Sequence, residues 1–137
     1  MTPRGIRNCN PCNIRISNTQ YLGEVVPSQD RAFKQFENIA YGYRAVFVCL
    51  YSYYKKRGLK TIRQMINRWA PPCENDTGSY VRHVAEAVLL SPDATVDITS
   101  KETMILMVCA MSKVENGIPA NIDEVIAGWD LYKKDRP

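Results

Sequence analysis

The segment from Thr99 to Gly117 constrains the fold most, because it encodes one long amphipathic helix. Thr99 followed by Glu102 matches a capping box, and Asn116-Gly117 supplies a stop signal. Between these signals the apolar side chains recur at helical spacing, at Met104, Met107, Val108, Met111 and Val114. We therefore expect the core to be built against this helix.

Glu115 is the exception on that helix. It lies four residues after Met111 and seven after Val108, so its carboxyl group falls at the C-terminal end of the apolar face. Removal from water disfavours the ionised form and raises the pKa of a carboxyl group, which keeps it protonated near neutral pH, as a general acid must be. Glu115 is therefore a candidate general acid. The alternative is a Glu that turns into water or pairs with a cation such as Lys113.

Composition indicates one ordinary globular domain spanning residues 1–137, with 45% hydrophobic and 23% charged residues. Lys and Arg exceed Asp and Glu by 18 to 14, and the net charge of +4 suits an anionic polymer, either a cell-wall glycan or a nucleic acid. The basic residues are spread along the chain, so dedicated nucleic-acid binding is not favoured. The longest apolar run, Met104 to Met111, is far shorter than the roughly 20 residues that cross a bilayer.

The five cysteines are odd in number and irregular in spacing, which indicates a reduced compartment rather than a disulfide framework. Cys9 and Cys12 form a CxxC motif, but no second CxxC or CxxH completes a metal site. We expect neither a metal nor a cofactor. His83, the only histidine, has no Ser or Cys partner in the pattern and is interpreted as structural.

Secondary-structure signals predict an α+β fold that is mainly α. The Asn-, Pro- and Arg-rich residues 4–13 predict irregular loop, and alternation predicts short strands at 14–16, 21–26 and 33–36 as a small β-hairpin layer. Helical periodicity with start and stop signals predicts five helices: Ile39 to Gly58, Thr61 to Pro71, Asp76 or Thr77 to Leu89, Thr99 to Gly117, and Asn121 through Tyr132. Thr61 with Gln64 predicts a second capping box, and Asp76 or Thr77 is the predicted cap of the third helix.

Four segments carry a resemblance to a family of small phage and prophage virion-associated proteins: RGIRNCNPCNIR, FKQFENIAYGYRA, TIRQMINRWAPPCENDTGSYVRHV and the Met-rich helix ending in ENG. The family pattern at the start is roughly RGIRNNNPGNIR, and this chain departs from it at Cys9 and Cys12. Where Cys12 replaces Gly, we expect a strained loop backbone if the position needs a positive φ, because Cys adopts that conformation poorly.

A second resemblance is to peptidoglycan-cleaving glucosaminidases of the lysozyme superfamily. In those enzymes a helix ends in a catalytic Glu followed closely by Gly. An Asn-rich loop leading into a hairpin, an aromatic segment, a helix and a Tyr-bearing segment come later. This chain is similar from Asn8 onward, but its Glu-bearing helix lies at the other end. The resemblance implies a lysozyme-like fold that has been circularly permuted.

Under this resemblance Glu115 is the general acid that protonates the glycosidic oxygen, and Glu24 stabilises the transition state or activates water. The residues implied to bind substrate, with Glu74 also a candidate acid, are Asn10, Asn13, Arg15, Trp69, Glu74, Asn75 and Tyr80.

Two functions remain open from the sequence. The first is a peptidoglycan glycosidase, hydrolase or lytic transglycosylase, that acts on glycan strands. The second is a non-catalytic virion or glycan-binding protein whose partners are other virion proteins. In either case we expect synthesis in the bacterial cytoplasm without a signal peptide, followed by delivery to the cell wall or the phage particle.

Overall fold

The computed structural model describes residues 2–134 and residue 136. In that part of the chain it has six helices and one two-stranded sheet, so the predicted mainly helical α+β class is confirmed. In chain order the elements are α1 (Arg4–Arg7), β1 (Glu24–Val25), β2 (Gln35–Phe36), α2 (Ile39–Arg57), α3 (Ile62–Trp69), α4 (Thr77–Val88), α5 (Lys101–Asn116) and α6 (Ile122–Lys134).

The core lies where α5 meets α2, α4 and α6. Met107 and Met111 of α5 are completely buried, as are Tyr43 and Leu50 of α2. The most extensive helix–helix interface joins α2 and α6, where Phe47 packs edge-on against Trp129 with ring centroids 5.1 Å apart. Helix α5, which the amphipathic pattern predicts, therefore packs at the centre of the core, as expected.

Helix boundaries follow local side-chain chemistry. The predicted capping box of α3 is confirmed, because Thr61 Oγ1 accepts from the Gln64 amide at 3.1 Å while Gln64 Oε1 accepts from the Thr61 amide at 3.2 Å. Asp76 caps α4 by accepting from the Ser79 amide. The predicted Thr99 and Glu102 box is wrong: the Asp97 carboxylate holds both the amide and the hydroxyl of Thr99, and Ser100 caps α5 instead.

The β layer is smaller than predicted. Strands β1 and β2 pair antiparallel, with Glu24 opposite Phe36, and the expected strand at 14–16 is reduced to one bridge between Arg15 and Phe33. The expectation of irregular structure before residue 14 is also wrong in part, because Arg4–Arg7 closes one helical turn.

Residues 8–15, called the N-terminal loop below, are tied to the hairpin. The Phe36 amide donates to the Asn8 carbonyl at 2.9 Å, and Asn10 Nδ2 donates to the Lys34 carbonyl at 2.9 Å. Cys9 and Asn13 have left-handed backbone, with φ of 52° and 55°. Cys12 does not, so the predicted strain at that substitution is absent, and its side chain is part of the buried core.

Gly42 of α2 packs directly against the backbone of the N-terminal loop. A Cβ atom at Gly42 would overlap the Cys9 carbonyl oxygen, which belongs to the backbone and has little room to move. We expect Gly42→Ala to lower the free energy of unfolding by about 3 kcal/mol, at the upper end of overpacking costs. Urea denaturation checks this against Gly78→Ala, whose Cβ would lie 3.5 Å from the Arg82 side chain and should be neutral or stabilising. Equal stabilities of the two variants would contradict the close packing.

Candidate functional site

Glu115 lies in the last turn of α5 and is half-buried. Asn13 Nδ2 donates to one carboxyl oxygen, Oε1, at 2.8 Å, and the Tyr80 hydroxyl donates to the other, Oε2, at 3.0 Å. The three residues come from the N-terminal loop, α4 and α5. The fold therefore places a carboxyl group of the C-terminal half against the asparagine-rich segment near the start of the chain.

The surroundings of Glu115 act on its pKa in opposite directions. Burial is the largest effect and raises the pKa above its usual value, because the charged form loses hydration. The hydrogen bonds from Asn13 and Tyr80 and the positive charge of Arg15 lower the pKa, since they favour the carboxylate. The net effect is a raised pKa, and the protonated form therefore persists to higher pH than in an exposed Glu.

Tyr80 can accommodate both protonation states of Glu115. Its hydroxyl lies 3.0 Å from Glu115 Oε2 and 3.5 Å from the Met111 carbonyl. When Glu115 is ionised, the hydroxyl donates to it. When Oε2 carries a proton, the hydroxyl can donate to Met111 instead and accept from the acid. Burial raises the pKa of Tyr80 well above its usual value, so its hydroxyl stays neutral.

Three consecutive residues of the N-terminal loop are fixed to helices. Asn116 Nδ2 donates to the Pro11 carbonyl at 2.7 Å, Trp69 Nε1 donates to the Cys12 carbonyl at 3.2 Å, and Asn13 bonds Glu115. Asn tolerates the left-handed backbone at position 13 better than most residues do. The Asn13 backbone amide also donates to the Asn10 carbonyl at 3.1 Å, so the residue that bonds the acid is held at both its backbone and its side chain.

A cavity of about 300 Å³ opens beside the acid and is called the Glu115 cavity. It lies between α4 and the end of α5 and is lined by Asn75, Asp76, Ser79, Tyr80, His83, Val114 and Glu115. It therefore contains a second carboxyl group, that of Asp76. His83, predicted to be structural, also faces this cavity.

A second cavity, of about 450 Å³, is lined by Asn13, whose side chain bonds Glu115, but not by Glu115 itself. It is called the arginine cavity, and its charged and aromatic lining residues are Arg15, Arg57, Arg68, Tyr21, Tyr53 and Trp69. Trp69 and Tyr53 meet edge to face with centroids 6.1 Å apart. The Glu115 cavity is therefore lined by the acid itself, and the arginine cavity is linked to the acid through Asn13.

Of the other predicted substrate-binding residues, one is buried and shapes the loop, and the rest are exposed at the surface. Asn10 is completely buried, and its side chain bonds the backbone of Ile14 and Lys34, so it shapes the loop. Arg15 and Glu74 are exposed and pair at 3.3 Å across the arginine cavity's edge. Asn75 donates to the Pro71 carbonyl at 3.1 Å and lines the Glu115 cavity.

Glu24 is not brought to Glu115. Its carboxylate accepts from Lys34 Nζ at 2.9 Å, with the Lys34 and Glu24 side chains only 1% and 7% exposed. Glu24 also accepts from the Tyr21 amide, and it lines a separate cavity with Ser28 and Asp30. These are the contacts of an ion pair that holds the hairpin together.

Two residues of the site were missed by sequence reasoning. Asn116 was interpreted only as a helix stop, although it holds Pro11, and Asp76 was interpreted only as a cap. The signal for Asn116 was its place beside Glu115 on the same turn. Asp76 gave no signal beyond capping, because its nearness to Glu115 depends on how α4 packs against α5.

Residues 2–134 and 136 contain no group of three His, Cys, Asp or Glu side chains placed to hold a metal ion. All five cysteines are free, and burial raises the pKa of the Cys12 thiol well above its usual value. In the same described part of the chain, no helix is long and apolar enough to cross a membrane.

No protein-family model matches this chain. The chain is similar to Protein P5 of Pseudoalteromonas phage PM2, with 36% identity over 135 residues that cover 94% of this chain and 82% of P5. The chain belongs to the family of this phage protein. The predicted phage relationship is thus confirmed, and kinship with P5 extends over nearly the whole chain, including both halves of the Glu115 site.

Proposed function

We propose that the protein is a peptidoglycan-cleaving glycosidase of phage or prophage origin, with a permuted lysozyme-like arrangement and Glu115 as its general acid. The observation that carries the proposal is the half-buried Glu115 carboxyl group, which Asn13 and Tyr80 hold at the lining of a cavity. An acid placed this way can donate its proton to a glycosidic oxygen bound across it.

The second carboxylate is reassigned in this proposal. Glu24 is engaged with Lys34, whereas Asp76 lines the same cavity as Glu115. Asp76 is exposed and caps α4 through Oδ1, and we assign its Oδ2 as the charge that stabilises the oxocarbenium-like transition state or orients water. If Asp76 is not used, the sugar's own N-acetyl oxygen can attack the anomeric carbon while Glu115 protonates the leaving oxygen, which gives an oxazolinium ion. Attack on that ion by the sugar's 6-hydroxyl group, whose proton returns to Glu115, gives a 1,6-anhydro product, and attack by water gives a hydrolysed one.

Incubation of the wild-type protein with purified peptidoglycan tests the activity, with the soluble products identified by mass spectrometry. Hydrolysis adds one water to each cut bond, whereas a lytic transglycosylase leaves 1,6-anhydro ends. Detection of either product supports a glycosidase, and the type of end distinguishes the two mechanisms. Absence of soluble glycan at high enzyme concentration would overturn the proposal.

A second candidate is a non-catalytic virion component that binds glycan or other virion proteins. The relationship to a phage protein and the engagement of Glu24 in an ion pair favour it. Under this candidate the protein co-sediments with insoluble peptidoglycan, or with virion proteins, without releasing soluble fragments.

Removal of one hydroxyl group should shift the pH dependence of cleavage. Tyr80→Phe deletes a hydrogen bond that favours the ionised Glu115, so the pKa of Glu115 should rise. A bond to a charged group is worth about 1.5–3 kcal/mol, so we expect the alkaline limb of the kcat/KM profile to move up by roughly one to two pH units. Tyr43→Phe, which loses a bond to Ser112 only, is the control and should leave the limb in place. A limb that moves to lower pH in Tyr80→Phe would contradict the assignment.

A further inference from the structure

The arginine cavity concentrates positive charge beside the acid. Arg15, Arg57 and Arg68 line it, and its lining contains no carboxylate. Arg15 is partly neutralised by Glu74 at 3.3 Å, but in the described residues no ion pair involves Arg57 or Arg68. The cavity therefore presents three exposed guanidinium groups, two of them without an ion-pair partner in the described residues, to an incoming anion.

The position of this cavity limits which molecule can carry the anionic group that binds there. Asn13 lines it and also bonds Glu115, so one side chain connects a ligand in the cavity to the acid. Cell-wall glycan carries its negative charge on peptide stems attached to alternate sugars, not on the sugar backbone. A volume of about 450 Å³ is within the range of small-ligand sites.

We infer that the arginine cavity binds the carboxylates of the peptide stem carried by the glycan, so that the protein selects peptide-bearing strands over bare ones. This inference rests on the proposed function. Guanidinium groups bind carboxylates through paired, charge-assisted hydrogen bonds. The rings of Tyr21, Tyr53 and Trp69 offer apolar faces to the lactyl and alanyl carbons of the stem.

The first test compares two substrates. Peptidoglycan strands with intact stems, and the same strands stripped by an amidase, are given to wild type, R57Q/R68Q and K55Q/K56Q. The lysine pair lies in the same last turn of α2 and removes the same charge without lining the cavity. We expect the ratio of kcat/KM for intact over stripped strands to fall about tenfold in R57Q/R68Q and to stay at the wild-type value in K55Q/K56Q. An equal ratio in all three proteins would overturn the inference.

The second test needs no turnover and so separates failure of the site from failure of the proposed function. N-acetylmuramoyl-L-alanyl-D-isoglutamine, which has one free carboxylate, and its methyl ester are titrated into the wild-type protein by calorimetry or NMR. We expect the ester to bind about tenfold more weakly, and R57Q/R68Q to remove that difference. Equal affinity for acid and ester would overturn the inference, as would displacement of the acid by equimolar inorganic phosphate. If no strand is cut but the free-acid ligand binds better than its methyl ester, the result supports the carboxylate site and contradicts the glycosidase activity.

Discussion

Glu115→Gln should abolish cleavage of purified peptidoglycan while preserving the fold. Gln keeps the size and polarity of Glu, and it can accept from Asn13 and donate to the Tyr80 hydroxyl, so the network stays bonded. It cannot supply a proton to a leaving group. General acid catalysis contributes typically 10²–10⁴-fold, and we expect kcat to fall by that order. Release of soluble fragments, followed over time by mass spectrometry, measures it.

The same variant should also change the pH dependence of stability. Burial raises the pKa of Glu115 in the folded state, so the folded protein holds this proton more tightly than the unfolded chain does. The associated stability is fully present below the unfolded pKa, about 4.3, and is lost as pH rises through the higher folded pKa. We therefore expect Glu115→Gln to gain in Tm relative to wild type as the pH rises above about 4.3.

Glu86→Gln is the matched control, because it neutralises an exposed carboxylate on α4 outside both cavities. It should keep wild-type cleavage. Full activity in Glu115→Gln would refute the assignment of the acid. A cleavage-dead Glu115→Gln that also unfolds at neutral pH would show that the carboxyl group is structural.

The elements that sequence reasoning identified are those governed by local signals. The start of α3 follows from Thr61 and Gln64, and the end of α5 follows from Gly117, whose φ is 73°. The start of α5 was displaced by one residue, since Asp97 binds Thr99 and leaves Ser100 as the cap. Capping motifs that overlap in sequence are resolved only by the turn that precedes the helix.

The candidate site was accessible to sequence reasoning only in part. The amphipathic pattern marked Glu115 as unusual, and the resemblance to glucosaminidases suggested that Asn13 and Tyr80 lie near it. Asn13 and Glu115 are 102 positions apart, and periodicity carries no information on such a contact. The burial of Lys34 was not signalled, because a lysine in a short strand is normally exposed. That burial also determines what Glu24 does.

We expect a second large effect, on the free energy of unfolding, at the ion pair between Lys34 and Glu24. Glu24→Gln should lower the free energy of unfolding by about 3 kcal/mol, because it leaves a completely buried Lys34 ammonium without a counter-charge. Lys34 Nζ also donates to the Thr19 carbonyl at 2.8 Å, so it cannot easily turn toward water. Urea denaturation measures the loss. Arg63→Gln, which breaks the exposed pair with Asp93, should cost no more than about 1 kcal/mol.

Activity then distinguishes the two roles that Glu24 has been given. If its carboxylate only holds the hairpin, the Glu24→Gln protein that remains folded cleaves peptidoglycan at the wild-type rate. If Glu24 is the second catalytic carboxylate, activity falls by orders of magnitude even where the protein is fully folded. A stable but inactive Glu24→Gln would restore Glu24 to the mechanism and require the hairpin to move toward Glu115 when the glycan binds. The separate cavities that Glu24 and Glu115 line favour the first outcome, in which Asp76 is the carboxylate closest to the chemistry.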